Sequence, residues 1–188
     1  VSAVAALTLW LAQKHCTYLQ AWFECMSGLT TTGDSIFDHQ YHNDYSLSHI
    51  LPSAILWRAV LQWMGGLIFV IISIALIPLL AGGTGSKLHI AEIPGLSANR
   101  LSDRLFAAAK TISLLYTFMT LLIYVGLLLC GTSHFHAVCH ACACVSTGGF
   151  SSFDHNVEGF QSVAAEWVLV FGMLLSAINF HLLVSAIR

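Results

Sequence analysis

Between Lys110 and Asp154 the chain carries 43 consecutive residues without a Lys, Arg, Asp or Glu, and that run constrains the fold more than any other feature. A helix crossing a hydrocarbon core of about 30 Å uses roughly 20 residues, so the run is too long for one span. It is also interrupted twice, at Cys130-Gly131-Thr132-Ser133 and at Ser146-Thr147-Gly148-Gly149. The pattern predicts a span ending near Leu129, a turn, a short helix over 134–145 and a Gly-rich loop. A helix of that length rises only about 18 Å, so it cannot cross the bilayer and is predicted to be re-entrant. Non-helical backbone at membrane depth survives only where it is buried in protein or lines a water-filled cavity. A half-helix followed by a Gly-rich loop therefore points to a pore.

The same unit occurs earlier in the chain, which makes it an internal repeat. In the first copy an apolar helix ends over 7–13, a short helix follows over 17–29, Thr30-Thr31-Thr32-Gly33 form a polar loop, and 49–80 form a long span. In the second copy the order is helix 105–129, short helix 134–145, loop Ser146 to Gly149, and long helix 160–187. Only 9% of residues are charged and 57% are hydrophobic, with mean hydropathy +0.78, whereas soluble domains carry about 25% charged residues. The expected fold is an all-α multi-pass membrane protein of two repeats, 1–83 and 105–188, joined by a connector over 84–104. Its first stretch has no basic region of the kind that opens a signal peptide. Both outer helices look cut, so the chain reads as a fragment of a larger pore.

Charge orients this arrangement. Lys87, Arg100, Arg104 and Lys110 place the connector in the cytoplasm by the positive-inside rule. The segments after the two Gly loops hold Asp34, Asp38 and Asp44 in one copy, and Asp154, Glu158 and Glu166 in the other, with no Lys or Arg. An acidic outer vestibule between low-dielectric walls concentrates cations; the plainer alternative is that external loops are acidic for solubility. The net charge of −2 and the absence of a basic run give no support to a nucleic-acid partner.

A dehydrated alkali cation needs oxygens in place of its water shell, and backbone carbonyls of short extended loops supply them. Gly permits the backbone geometry and leaves the axis unobstructed. T-T-T-G alone is a weak signal, but its repetition as S-T-G-G behind a second half-helix is a strong one.

Five strings then resemble a known family in the family's order: Ser27-Gly28-Leu29-Thr30-Thr31-Thr32-Gly33, Trp57-Arg58-Ala59-Val60-Leu61-Gln62-Trp63-Met64-Gly65-Gly66, Ala91-Glu92-Ile93-Pro94-Gly95, Ser146-Thr147-Gly148-Gly149-Phe150-Ser151 and Ser176-Ala177-Ile178-Asn179-Phe180. The chain resembles the Trk/Ktr/HKT superfamily of potassium transporters, in particular its bacterial Trk branch. That resemblance implies four M1-P-M2 repeats around one pore in the bacterial inner membrane, with one filter Gly from each. Here the filter would use Thr31, Thr32 and Gly33 with Ser146, Thr147, Gly148 and Gly149. Gly33 and Gly149 would be the filter glycines, Gly148 being the competing register. The resemblance further implies potassium as substrate, no cofactor, no enzymatic chemistry, a cytoplasmic nucleotide-binding regulatory subunit and a homodimeric membrane partner. Two repeats supply half of such a ring, so the 188-residue chain is not expected to conduct selectively alone. Asp34 stands where the family has a small or apolar residue, which leaves a sodium-permeable or unselective path as an alternative, and Leu96 replaces the second Pro of a P-G-P string.

Other groupings carry competing readings. His134, His136, Cys139, His140, Cys142 and Cys144 crowd one short helix. His136, His140 and Cys144 share a face at i, i+4 spacing, so a three-ligand site, and with it a membrane metal or haem protein, is geometrically possible. Cys is equally a small buried apolar residue. The scattered Cys16, Cys25 and Cys130 define no disulfide framework. Arg58 reads either as an interfacial anchor beside Trp57 and Trp63 or as a donor to pore-loop carbonyls that supports the pore. Asn179 is a second candidate for pore support, with interhelical bonding as its alternative. His181 and Ser185 lack an orienting acid, and Gly82-Gly83-Thr84-Gly85 lacks the preceding strand and the G-K-[ST] ending of a phosphate loop.

Overall fold

A computed structural model describes residues 1–13, 16–37, 47, 50–81 and 98–178, with backbone alone for 74–81 and 98–105. Among the described residues all regular structure is helical: α1 Ser2–Ala12, α2 Tyr18–Leu29, α3 Pro52–Ala81, α4 Ala98–Leu129, α5 His134–Val145, a 3-10 turn Asn156–Phe160 and α6 Val163–Ala177. The two short helices fall where the sequence places them, and each has a local reason to start there. Thr17 caps α2 in a reciprocal box, accepting from the Gln20 amide while Gln20 Oε1 accepts from the Thr17 amide at 2.8 Å. At the head of α5, Ser133 is the N-cap, in extended conformation after the left-handed Gly131.

Three helix boundaries differ from the sequence reading. The long helix of the first copy starts at Pro52 rather than at 49, because the ring presets the helical φ and its missing N–H costs nothing in the first turn. α4 starts at Ala98 rather than 105, so the last part of the connector is helical and polar composition did not mark its end. The last helix starts at Val163 rather than 160, because the chain first makes the 3-10 turn and then passes Gln161 in a left-handed conformation. It ends at Ala177 with Ile178 extended, and the expected continuation over 179–187 lies outside the described residues.

Two apolar cores form, one per copy. The first joins Leu9 of α1, Ala21 and Cys25 of α2, and Ala54, Ile55 and Leu61 of α3. The second joins Tyr116, Ile123 and Leu127 of α4, Ala137, Ala141 and Val145 of α5, and Leu169 of α6. α5 also packs on α3, and its Cys139 and Cys142 enter the first core, so the short helix couples the two copies. Pro52–Ser73 and Phe106–Leu129 are long and apolar enough to cross a membrane, yet only 39% and 28% of their apolar windows are buried within the chain. Phe69, Phe106, Leu129 and Phe171 stand exposed, as residues facing lipid or further protein do. All six cysteines are free.

Candidate functional site

Both short helices end in loops of one backbone design. A constant offset of 116 residues relates them: Thr31 and Thr147 have φ 55° and 52°, and Gly33 and Gly149 have φ 82° and 89°. The closing bonds repeat too. The Thr31 and Thr32 amides donate to Gly28 and Ser27 carbonyls at 3.0 Å, and the Thr147 and Gly148 amides donate to Cys144 and Ala143 carbonyls at 3.1 and 3.0 Å. A β-branched residue at positive φ is strained by about 1–3 kcal/mol. The same strain at the same place in both copies of the repeat shows that the loop shape, rather than local propensity, is what the fold maintains. This repeat fixes the register in structural terms: Gly149, not Gly148, corresponds to Gly33.

The two loops meet. A Cβ on Gly33 would overlap the Gly148 carbonyl oxygen, whereas one on Gly149 would have nothing within 4 Å. Among the described residues, the carbonyls of Thr31, Thr32 and Gly33, and those of Thr147, Gly148 and Gly149, accept no hydrogen bond. Each loop also receives a helix C-terminus, where the aligned peptide dipoles leave partial negative charge. Unpaired carbonyls at the negative ends of two helices form a site suited to cations and unsuited to anions.

α3 braces both loops through the R-x-x-x-Q-W-x-G-G string. Its Arg58 Nε lies 2.7 Å from Glu24 Oε2 of α2, with the two side chains 2% and 0% exposed. Arg58 Nη2 donates to Ser35 Oγ at 2.7 Å, and Ser35 donates to Glu24 Oε1 at 2.8 Å, which also accepts the Ile36 amide. The guanidinium lies over the rings of Phe37 and Phe150, 5.1 and 4.3 Å from their centroids. One turn on, Gln62 Oε1 accepts the Phe150 amide at 3.3 Å and its side chain fills the space a Cβ on Gly148 would need. Trp63 Nε1 donates to Thr120 Oγ1 at 3.0 Å, tying α3 to α4. Gly65 lets α3 touch the Leu29 backbone at the end of α2, where any side chain would overlap the carbonyl. Every fixed residue of the string thus touches a loop, a short helix or α4.

Beyond each Gly the repeat continues as G-x-S-x-F, Gly33 to Phe37 and Gly149 to Phe153. The Phe37 and Phe153 amides donate to Ser35 and Ser151 Oγ at 3.1 and 2.9 Å. The returning strap bonds back to the short helix, to Glu24 in the first copy and in the second to His140, whose Nε2 lies 3.4 Å from the Ser152 amide nitrogen. A cavity of about 390 Å³ lies beside the second loop, lined by His140, Cys144, Thr147, Gly149, Leu169 and Met173 among others.

Several candidates from the sequence take other places. Among the described residues Arg58 is buried, donates to Ser35 Oγ rather than to a loop carbonyl, and has Glu24 as the countercharge its burial demands. Asp154 Oδ1 accepts the Leu47 amide at 2.7 Å and so ties the segment after the second loop to the first copy. Asp34 is exposed beside Gly33. Asp38, Asp44, Asn179, His181 and Ser185 lie outside the described residues. His136, His140 and Cys144 do not converge, and among the described residues no three His, Cys, Asp or Glu side chains could hold a metal ion. His136 Nδ1 instead meets Ser152 Oγ at 2.7 Å, and Cys144 Sγ lies 3.6 Å from the Leu169 carbonyl. Glu24 and Gln62 were missed. Glu24 had a legible signal, since it is the only acid before Asp34 and Arg58 the only Lys or Arg between Lys14 and Lys87.

Comparison with known proteins matches residues 1–188 to a family described as TrkH, cation transport protein. The chain is 33% identical over 183 residues to the Trk system potassium uptake protein TrkG of Escherichia coli (strain K12), covering 96% of this chain and 36% of that protein. It is 35% identical over 162 residues to the Trk system potassium uptake protein TrkH of Halomonas elongata, covering 85% of this chain and 32% of the relative. The crystal structure of the potassium transporter TrkH from Vibrio parahaemolyticus superposes with a TM-score of 0.78 at 27% identity, covering 96% of this chain and 34% of that one. The chain spans about a third of the length of these relatives.

Proposed function

Because this chain belongs to the TrkH family of cation transport proteins, we propose that it contributes two of the carbonyl-bearing loops of a potassium-selective path through the bacterial inner membrane. The observation that carries this reading is the matched pair of strained loops, Thr31 to Gly33 and Thr147 to Gly149, with unpaired carbonyls at the ends of two short helices. Backbone carbonyls replace the hydration shell of potassium, and the Thr31, Thr32 and Thr147 positions bring the remaining oxygens, whereas the buried Ser146 donates its hydroxyl back to the Cys142 carbonyl at 2.8 Å and supports the loop from behind. Asp34 raises the cation concentration at the outer mouth, and the helix C-termini stabilise the ion once it has shed water. No bond is made or broken in this scheme, so potassium is substrate and no catalytic residue is assigned. The family likeness extends the proposal to a ring completed by further repeats, a second copy of the membrane subunit and a cytoplasmic nucleotide-binding regulator.

The test is ion flux in liposomes carrying a full-length Trk transporter that contains this segment. Potassium flux well above sodium flux is the expected result; equal fluxes, or a chloride flux of similar size, contradict it.

Orientation follows from the same reading, with the acidic segments outside and the basic connector inside. His155 is exposed just after Asp154, so His155→Cys in a Cys130→Ser background is expected to react with an impermeant thiol reagent added to intact cells. Ser97→Cys, in the connector, is expected to react only after the membrane is opened. The reverse pattern would invert the topology.

A further inference from the structure

Resting on the reading that both loops line one path, we propose that His140 is the positioning residue of the second loop, holding it through an unprotonated Nε2, so that its ring exists as the Nδ1–H tautomer. The offset of 116 residues that relates the loops also relates Glu24 to His140 and Ile36 to Ser152. In the first copy the strap returning from the Gly is held because Glu24 accepts the Ile36 amide. In the second copy the corresponding amide, Ser152 N–H, faces His140 Nε2 at 3.4 Å. A backbone N–H can only donate, so the ring nitrogen opposite it must be bare whichever way hydrogens are assigned elsewhere.

The surroundings favour a neutral, oriented ring. His140 is 5% exposed and packs against Phe160, 4.5 Å between centroids, and Phe153 at 5.5 Å. His136 stacks on the other reach of Phe153 at 4.2 Å, and its Nδ1 meets Ser152 Oγ. Ser152 is thus held through both its amide and its hydroxyl. The first loop is held by a carboxylate whose countercharge is Arg58; among the described residues no Lys or Arg pairs with His140, whose titratable neighbour is the base His136, and this suits an uncharged acceptor.

Two variants in a full-length Trk transporter containing this segment separate acceptor chemistry from mere packing. His140→Leu fills the space without accepting, and it is expected to lower the potassium/sodium permeability ratio about tenfold. His140→Gln restores an acceptor on a side chain of similar reach and is expected to stay within about threefold of the parent. A parental ratio in His140→Leu, or an equal loss in both variants, overturns the proposal. If His140→Leu does not accumulate in the membrane, the unaltered protein decides: nitrogen NMR of ¹⁵N-histidine-labelled transporter, with His140 assigned from the signals missing in His140→Gln, is expected to show Nδ1–H and a bare Nε2. The opposite tautomer overturns the assignment. Loss of discrimination in Gly149→Ser with none in His140→Leu removes this inference alone, whereas no loss in either removes the path reading beneath it.

Discussion

Glu24→Gln and Arg58→Gln are each expected to destabilise a full-length Trk transporter containing this segment by about 3–5 kcal/mol, as removal of one member of a buried ion pair does elsewhere. The reason is the partner left behind. With the side chains 0% and 2% exposed, Glu24→Gln strands a guanidinium among Phe37, Phe150 and Ser35, and Arg58→Gln strands a carboxylate that still must hold Ser35 and Ile36. The double replacement Glu24→Met with Arg58→Met removes both charges and keeps volume, so it is expected to recover a large part of the loss. Survival of the folded protein after graded heating in detergent measures all three. The pairing predicts that the singles fall together and that the double lies above either; strictly additive losses would show that the two residues do not act as a pair. The same double variant separates stability from selectivity, because the apolar pair lets α2 and α3 pack but no longer orients Ser35 and the strap beyond Gly33.

Much of this architecture was readable from residues alone because the bilayer restricts what backbone can do. A charge-free run longer than one span but broken by Gly clusters allows few solutions, and both short helices lie where the breaks put them. The boundaries that shifted lie where composition is silent. Pro52 starts a helix inside a segment that reads as continuous, and the left-handed residue that ends the 3-10 turn is Gln161 rather than the nearby Gly159, so the turn's end is not marked where a Gly would mark it. The site was legible in part for a related reason. Repetition exposed Thr31 to Gly33 and Ser146 to Gly149, but a register choice between Gly148 and Gly149 needs φ values, which sequence does not carry. Arg58 was noticed without its partner because Glu24 and Arg58 sit on different helices 34 positions apart, and periodicity relates only residues of one element. His136 and His140 at i, i+4 looked like ligands because spacing shows which residues share a face and not what that face meets. What it meets is the Ser152 strap.

The largest functional effect is expected at Gly33 and Gly149. Both need a positive φ, which an L side chain adopts at a cost of about 1–3 kcal/mol, equivalent to roughly fivefold to 150-fold in an equilibrium between loop shapes. Gly33→Ser adds a collision with the Gly148 carbonyl, so it is expected to push the two loops apart as well. Gly149→Ser meets no neighbour, so its effect is confined to loop shape and to whatever passes in front of it. Gly131 supplies the control: its φ is 84°, it too has nothing within 4 Å of an added Cβ, and it lies in the turn between α4 and α5, away from both loops. On the proposed reading, equal backbone strain there lies off the cation path. The decisive measurement is the potassium/sodium permeability ratio of Gly149→Ser beside Gly131→Ser, at matched abundance in a full-length Trk transporter containing this segment. A ratio lowered about tenfold or more in Gly149→Ser and parental in Gly131→Ser is the predicted result; a parental ratio in both, or the same fall in both, would contradict the assignment of these loops to the cation path.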